Sequence, residues 1–215
     1  MNRGYQINHK KVQRIMKELG LSCLVRIKKY RPYKGNVGKV ASNILERNFQ
    51  AKKPNKKWVT DITEFKILEE KLYMSPMLDL FNGEIITYTI SSKPTYSLVS
   101  NMLNQALERL TKADRPLIHS DQGWHYQMKK YRCSLTKHSI IQSMSRKGNC
   151  YDNAVIENFF SIMKSELLYL QEFESVEHLK KELAKYVEYY NHKRIKAKLK
   201  GMSPVQYRIH TKGAA

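Results

Sequence analysis

From Trp58 onward, apolar positions follow first the period of a strand and then that of a helix. Trp58 to Lys66 carries Val59, Ile62 and Phe65 among Thr60 and Thr63, the β-branched and aromatic content of a strand. Lys71 to Leu80 reads as a second strand, and Ile- and Thr-rich Glu84 to Ile90 as a third. Asn82-Gly83 between them is a two-residue hairpin signal, because both residues tolerate positive φ. In Tyr96 to Leu110, the positions Leu98, Met102, Leu103, Ala106, Leu107 and Leu110 predict a helix. Pro116 opens a short strand at Leu117-Ile118-His119, Met128 to Thr136 reads as a helix, and Ile140 to Met144 as a strand. A helix capped by Asp152 or Asn153 follows, with Ile156, Phe159, Phe160, Met163 and Leu167 on one face. The last expected helix, Val176 to Tyr190, turns Leu179, Leu183, Val187 and Tyr190 inward, and Glu174 and Glu177 suit its positive N-terminus. Five strands led by a hairpin and then alternating with helices predict an α/β fold: a mixed five-stranded sheet with helices on its faces.

Before Trp58 the pattern is thinner. Val12, Ile15, Met16 and Leu19 recur at helical spacing between a capping Asn8 and a closing Gly20, and Lys10, Lys11, Arg14 and Lys17 fall off that stripe. Arg31-Pro32-Tyr33-Lys34-Gly35 and Lys52-Lys53-Pro54-Asn55-Lys56-Lys57 read as extended linker. Residues 1–57 hold sixteen Lys and Arg against only Glu18 and Glu46. The division expected is a basic N-terminal arm and linker over 1–50 and a folded body over 51–215. Over all 215 residues the net charge is +20, which points to a polyanion, nucleic acid first, although a solvated basic tail has the same composition. No apolar run is long enough to span a membrane, and the polar, basic N-terminus is not a signal peptide, so a cytoplasmic protein is expected. Cys23, Cys133 and Cys150 form no CxxC pair and are expected to be small buried residues.

In so basic a chain three carboxylates stand out. Asp61 interrupts an apolar strand, Asp121 follows the strand Leu117-Ile118-His119, and Glu157 lies beside the apolar stripe of a helix, with thirty-five residues between the last two. If folding brought them together, the set would be a hard, oxygen-only site suited to Mg2+ or Mn2+. Two ions about 3.5–4 Å apart could activate a water or 3′-hydroxyl against a phosphodiester. Taken singly, each has a plainer use: a bulge, a turn, a helix surface.

The surrounding residues add to this. Trp58-Val59-Thr60-Asp61-Ile62-Thr63, His119-Ser120-Asp121-Gln122-Gly123, and Ser145 to Ala154 running into Glu157-Asn158-Phe159-Phe160 resemble the core of bacterial insertion-sequence transposases of the IS-three type, whose cores resemble retroviral integrases. Lys164, Tyr190-Asn191 and Leu199 to Arg208 match the same pattern, and Asn8 to Leu21 resembles the end of its N-terminal helix-turn-helix. The resemblance covers nearly the whole chain. It implies an RNase H-like fold, DNA cleavage and strand transfer, and Asp61, Asp121 and Glu157 as ligands of Mg2+ or Mn2+, most simply two ions. It also implies element ends and target DNA as partners, no membrane, homo-oligomers on DNA and a location at the bacterial nucleoid. Relatives of this kind carry more sequence before the first helix, so an upstream reading-frame partner is expected.

Among lesser candidates, His119 and His125 read as structural hydrogen-bonders, Gly123 as a turn close to Asp121, and Asp152 as a helix cap. Arg146, Lys147 and Lys164, with Lys10, Lys11, Arg14 and Lys17, are the candidate DNA contacts. Lys193, Arg194, Lys196, Lys198 and Lys200 form a run that could track phosphates, and Tyr186, Tyr189 and Tyr190 read as core and interface. The competing functions are a transposase-derived DNA-binding regulator without catalysis and a metal-dependent nuclease of the same fold.

Overall fold

The computed structural model describes residues 7–21, 39–67 and 69–212, the side chains of residues 150 and 212 excepted. Its body is a mixed sheet built from β1 (Lys57–Thr60), β2 (Thr63–Ile67), β3 (Glu70–Asp79), β4 (Ile85–Ser91), β5 (Leu117–Ser120) and β6 (Ile141–Met144). The expected opening strand is broken in two at Asp61-Ile62, because the Asp61 carboxylate accepts the Ile62 N–H at 2.7 Å and turns the chain. Both halves still lie along β3, β1 against Met77–Asp79 and β2 against Glu70–Met74, while β4 takes the other edge of β3. β5 runs parallel to β1, and β6 parallel to β5.

Alternation along the strands sends neighbouring residues to opposite faces. Val59, Leu78 and Ile85 face a core shared with α5 (Ala154–Met163) and α6 (Val176–His192). Trp58, Met77 and Ile86 face a second core shared with α2 (Tyr96–Leu107), α3 (Trp124–Gln127) and α4 (Lys129–Lys137). The helix expected over 128–136 is preceded by α3, with extended Met128 between the two.

The β3–β4 connection is longer than a two-residue turn. Asp79 N–H donates to Glu84 O, Gly83 N–H returns to Asp79 O, and Gly83 takes φ +71°. The added length lets buried Asp79 and Glu84 meet Arg208 at 2.8 and 2.9 Å. Arg208 lies on α7 (Pro204–Lys212), a helix beyond the expected last one, which starts at a proline that needs no N–H partner in a first turn. Asn82 adds a bond to Pro204 O.

Lys52 to Lys57 is not an extended linker. It turns through Asn55 at φ 59°, whose N–H donates to Asp79 Oδ2. The stretch 39–50, grouped by composition with the arm, lies along β6: Met144 N–H donates to Ser42 O, Ile44 and Leu45 N–H donate to Ser143 Oγ, and Leu45 is buried. α1 (His9–Glu18) is capped by Asn8 as expected and buries none of its residues. Cys133 is exposed rather than buried, because it falls on the outer face of α4. Cys23, the Cys150 side chain and the segment Arg31–Gly35 lie outside the described residues.

Candidate active site

Three elements converge at the C-terminal end of the β1–β5 pair. Val59 stands opposite His119 in the parallel register, so two residues further along each chain bring Asp61 and Asp121 side by side as the strands end. Glu157 comes from the first turn of α5, where the helix N-terminus favours a carboxylate. The three interact electrostatically. Burial first, then Asp121 and, more weakly, Glu157 push the Asp61 carboxyl well above the usual range, against the Ile62 N–H and Asn153 amide bonds that lower it. Asp121 is raised by burial, against the Gly123 N–H and His125, and Glu157 is raised by burial and then by Asp121.

Among the described residues, no three His, Cys, Asp or Glu side chains are drawn into the spacing of an assembled metal site. The donor set nevertheless fits a hard divalent cation: oxygen ligands only, like charges facing one another, and a cost of ionisation that positive charge would relieve. Each aspartate is oriented from behind. Gly123 N–H donates to Asp121 Oδ1 at 2.9 Å, and Asn153 Nδ2 donates to Asp61 Oδ2 at 3.1 Å.

The histidines are structural. His119 is fully buried, its Nδ1 2.8 Å from Ser143 Oγ, and burial lowers its pKa to about 4 although Asp152 pulls the other way. Ser143 Oγ already accepts two N–H groups, so its own proton goes to His119 Nδ1. His125 Nε2 donates to Pro94 O at 2.7 Å.

Asp152 is not a helix cap. Asn149 caps the 3-10 turn Cys150–Asn153 by accepting Tyr151 N–H, and Asn153 occupies the cap position of α5 without a capping bond. The Asp152 carboxylate is instead gripped by Arg146 and Arg47. Arg146 therefore has a carboxylate partner of its own, while Lys147 is exposed. Lys164 opens a π-helical turn, Lys164–Leu168, that continues α5, and its Nζ lies 5.6 Å from the centroid of Phe65 on β2. Lys10, Lys11, Arg14 and Lys17 are exposed on α1.

The C-terminal basic run is split. Arg194 makes a bidentate pair with Glu166 (2.6–2.9 Å), and Lys196 is tucked against Tyr190, leaving Lys193, Lys198 and Lys200 exposed. Tyr186 and Tyr190 are buried and Tyr189 is exposed. Sequence reasoning took Asn153 only for a helix cap and did not single out Trp124, which stands beside the candidate site. Trp124 is 51% exposed and stacked on His125 at 3.8 Å, three residues after Asp121. A tryptophan three residues after a candidate carboxylate was the available signal for Trp124; Asn153 offered none beyond standing before a helix.

Residues 51–150 and 157–211 each match a family described as integrase core domain. The chain is 52% identical over 208 residues to the putative transposase InsK for insertion sequence element IS150 of Escherichia coli (strain K12), spanning 97% of this chain and 74% of that protein. It is 53% identical over 206 residues to an uncharacterized transposase-like protein of Haemophilus influenzae, spanning 96% of this chain and 95% of that one. Among solved structures, the HTLV-2 integrase catalytic core domain in complex with magnesium superposes with a TM-score of 0.56 at 19% identity, over 74% of this chain and 99% of that one. That likeness concerns the fold, the RNase H-like integrase core. With two integrase-core matches and relatives above half identity over nearly its whole length, the chain belongs to the integrase-core transposases of bacterial insertion sequences and serves DNA transposition.

Proposed function

We propose that Asp61, Asp121 and Glu157 are the catalytic carboxylates of a metal-dependent transposase that cleaves element ends and joins the freed 3′-hydroxyl to target DNA. The observation that carries the reading is their convergence from two adjacent strand ends and one helix start, with Asp121 raising the pKa of both Asp61 and Glu157, and Glu157 raising that of Asp61. Mg2+ or Mn2+, most simply two ions held by these oxygens, would supply the charge neutralisation and the activated nucleophile that phosphodiester displacement needs. The chain's own work is to hold the carboxylates still. Ile62 N–H and Asn153 fix Asp61, Gly123 N–H fixes Asp121, and the first turn of α5 carries Glu157. His119 and His125, whose pKa values burial lowers, stay neutral and serve as buried braces rather than proton carriers. Exposed Lys147 and the cations of α1, with Lys164 at the end of α5, form the phosphate-facing set of a DNA-bound homo-oligomer, in which α1 belongs to the arm and the core takes in residues 39–50, which lie along β6.

The test is a labelled duplex carrying an element end, incubated with the full chain and Mg2+. Asp61→Asn, Asp121→Asn and Glu157→Gln are each expected to lower cleavage and joining by roughly 100-fold or more while DNA affinity stays within about threefold. Wild-type joining by any of the three removes that residue from the site. Binding without cutting by the unaltered chain marks a regulator, and cutting without a joined product marks a nuclease.

A further inference from the structure

We propose that Asp152 and Asn153 act as a positioning pair, Asp152 anchoring the turn before α5 and Asn153 holding Asp61 in register with Glu157. The proposal rests on the reading of Asp61, Asp121 and Glu157 as metal ligands.

The anchor is unusually complete. Asp152 has 0% exposure, and five donors reach its carboxylate. Arg146 Nη2 and Arg47 Nε meet Oδ1, each at 2.8 Å. Arg146 Nε at 2.8 Å, Asn43 Nδ2 at 2.9 Å and Arg146 N–H at 3.0 Å meet Oδ2. A carboxylate offers about four lone-pair sites, so this one is saturated. The Arg146 bonds, then Arg47, hold its pKa well below the ordinary carboxylate range despite burial. The donors come from the turn's own loop, at Arg146, and from a distant segment bearing Asn43 and Arg47, which is itself pinned to β6 through Ser143 Oγ. The turn is therefore tied to the sheet, not merely to its own loop.

Asn153 faces the other way. It is 4% exposed and stands at the cap position of α5, yet its side chain makes no capping bond. Its Nδ2 reaches Asp61 Oδ2 at 3.1 Å, and its buried Oδ1 has no hydrogen-bond partner among the described residues. A cap that gives up capping and leaves a buried oxygen unpaired is placed for something other than helix stability. Glu157 follows about one helical turn later, so a single rigid dipeptide sets where the end of β1 and the start of α5 stand relative to each other. Residues behind metal ligands commonly change affinity by about 10- to 100-fold when altered.

The experiment measures Mn2+ binding to the DNA-free, full-length chain by electron paramagnetic resonance of unbound Mn2+, alongside thermal unfolding and amide hydrogen exchange over residues 145–157. Asn153→Ala is expected to weaken Mn2+ binding about tenfold with little change in melting. Asp152→Asn is expected to weaken it similarly and to speed exchange over 145–157, and the double variant to be less impaired than the two effects combined, because both act along one connection. Should Asp152→Asn fail to fold, Arg47→Gln, which removes one exposed-side donor, is measured in its place with the same expectation. Wild-type Mn2+ affinity in folded Asn153→Ala, or in the folded anchor variant, overturns the proposal; lowered melting with unchanged Mn2+ affinity would make the pair a stabilising element only. Absence of Mn2+ binding by the unaltered chain would overturn the metal reading itself, and the proposal with it.

Discussion

Gly123 is demanded by Asp121 rather than by its own backbone. Its φ of −57° is open to any residue, but a Cβ there would lie 2.9 Å from Asp121 Oδ1, the same atom that accepts the Gly123 N–H. Gly123→Ala must therefore push the carboxylate off its donor. Strand joining is expected to fall about tenfold or more while the melting temperature shifts little, and parallel joining and melting curves check this. The candidate carboxylates stood out in the sequence for local reasons, Asp61 and Glu157 as charges set beside apolar positions and Asp121 as a charge just past a strand end. Asp152 and Asn153 were not legible in the same way. Their distant partners, Arg47 for Asp152 and Asp61 for Asn153, stand 105 and 92 residues away, and no local pattern announces a contact at that range. Arg146, a basic residue in a glycine-containing loop, reads from sequence as a DNA contact although buried Asp152, six residues on, grips it, because neither the burial of that aspartate nor the turn that brings the two together shows in the local pattern.

At the scale of elements, the sequence located five strand segments, the first of which the structure splits into β1 and β2, by their β-branched and aromatic content, and α2, α5 and α6 by the helical period of the face each buries. What escaped was decided by side chains acting on backbone: the break at Asp61-Ile62, and the α7 docking through Arg208 onto Asp79 and Glu84. The end of α6 holds a testable case of such a contact. Lys196 Nζ donates to Tyr190 Oη at 2.6 Å, and burial first, then Arg194, lowers its pKa from 10.5 to about 8. Between pH 8 and 10.5 the unfolded chain keeps a proton that the native chain has released, so native stability rises with pH across that window, by at most about 3 kcal/mol. Below pH 8 both states are charged and the contribution is flat. Tyr186 and Tyr190, whose pKa values burial raises, oppose the rise once unfolded tyrosines begin to ionise near pH 10. Urea unfolding at intervals from about pH 7.5 to 10 should show the upward slope, and Lys196→Met should flatten it.

Over the whole molecule, charge is distributed by task. The body buries its sheet between two cores and sets its acidic cluster at one strand end, while α1 presents Lys10, Lys11, Arg14 and Lys17 with no buried residue behind them. Arg14 pairs with Glu18 at 3.1 Å, but both side chains are more than half exposed, and a pair of that kind holds its partners weakly. These four cations are therefore free to exchange solvent counterions for DNA phosphates. If all four make such contacts, replacing them together by glutamine lowers the slope of log affinity against log salt by about 0.9 for each contact, roughly 3 to 4 in total. The slope is measured on a duplex of random sequence between about 50 and 200 mM salt, where the electrostatic part of binding dominates. Mn2+ binding at the carboxylates should not move, because no residue of α1 is buried against the core. An unchanged slope would instead leave α1 as a solvated helix and pass the electrostatic work to the exposed cations of the core.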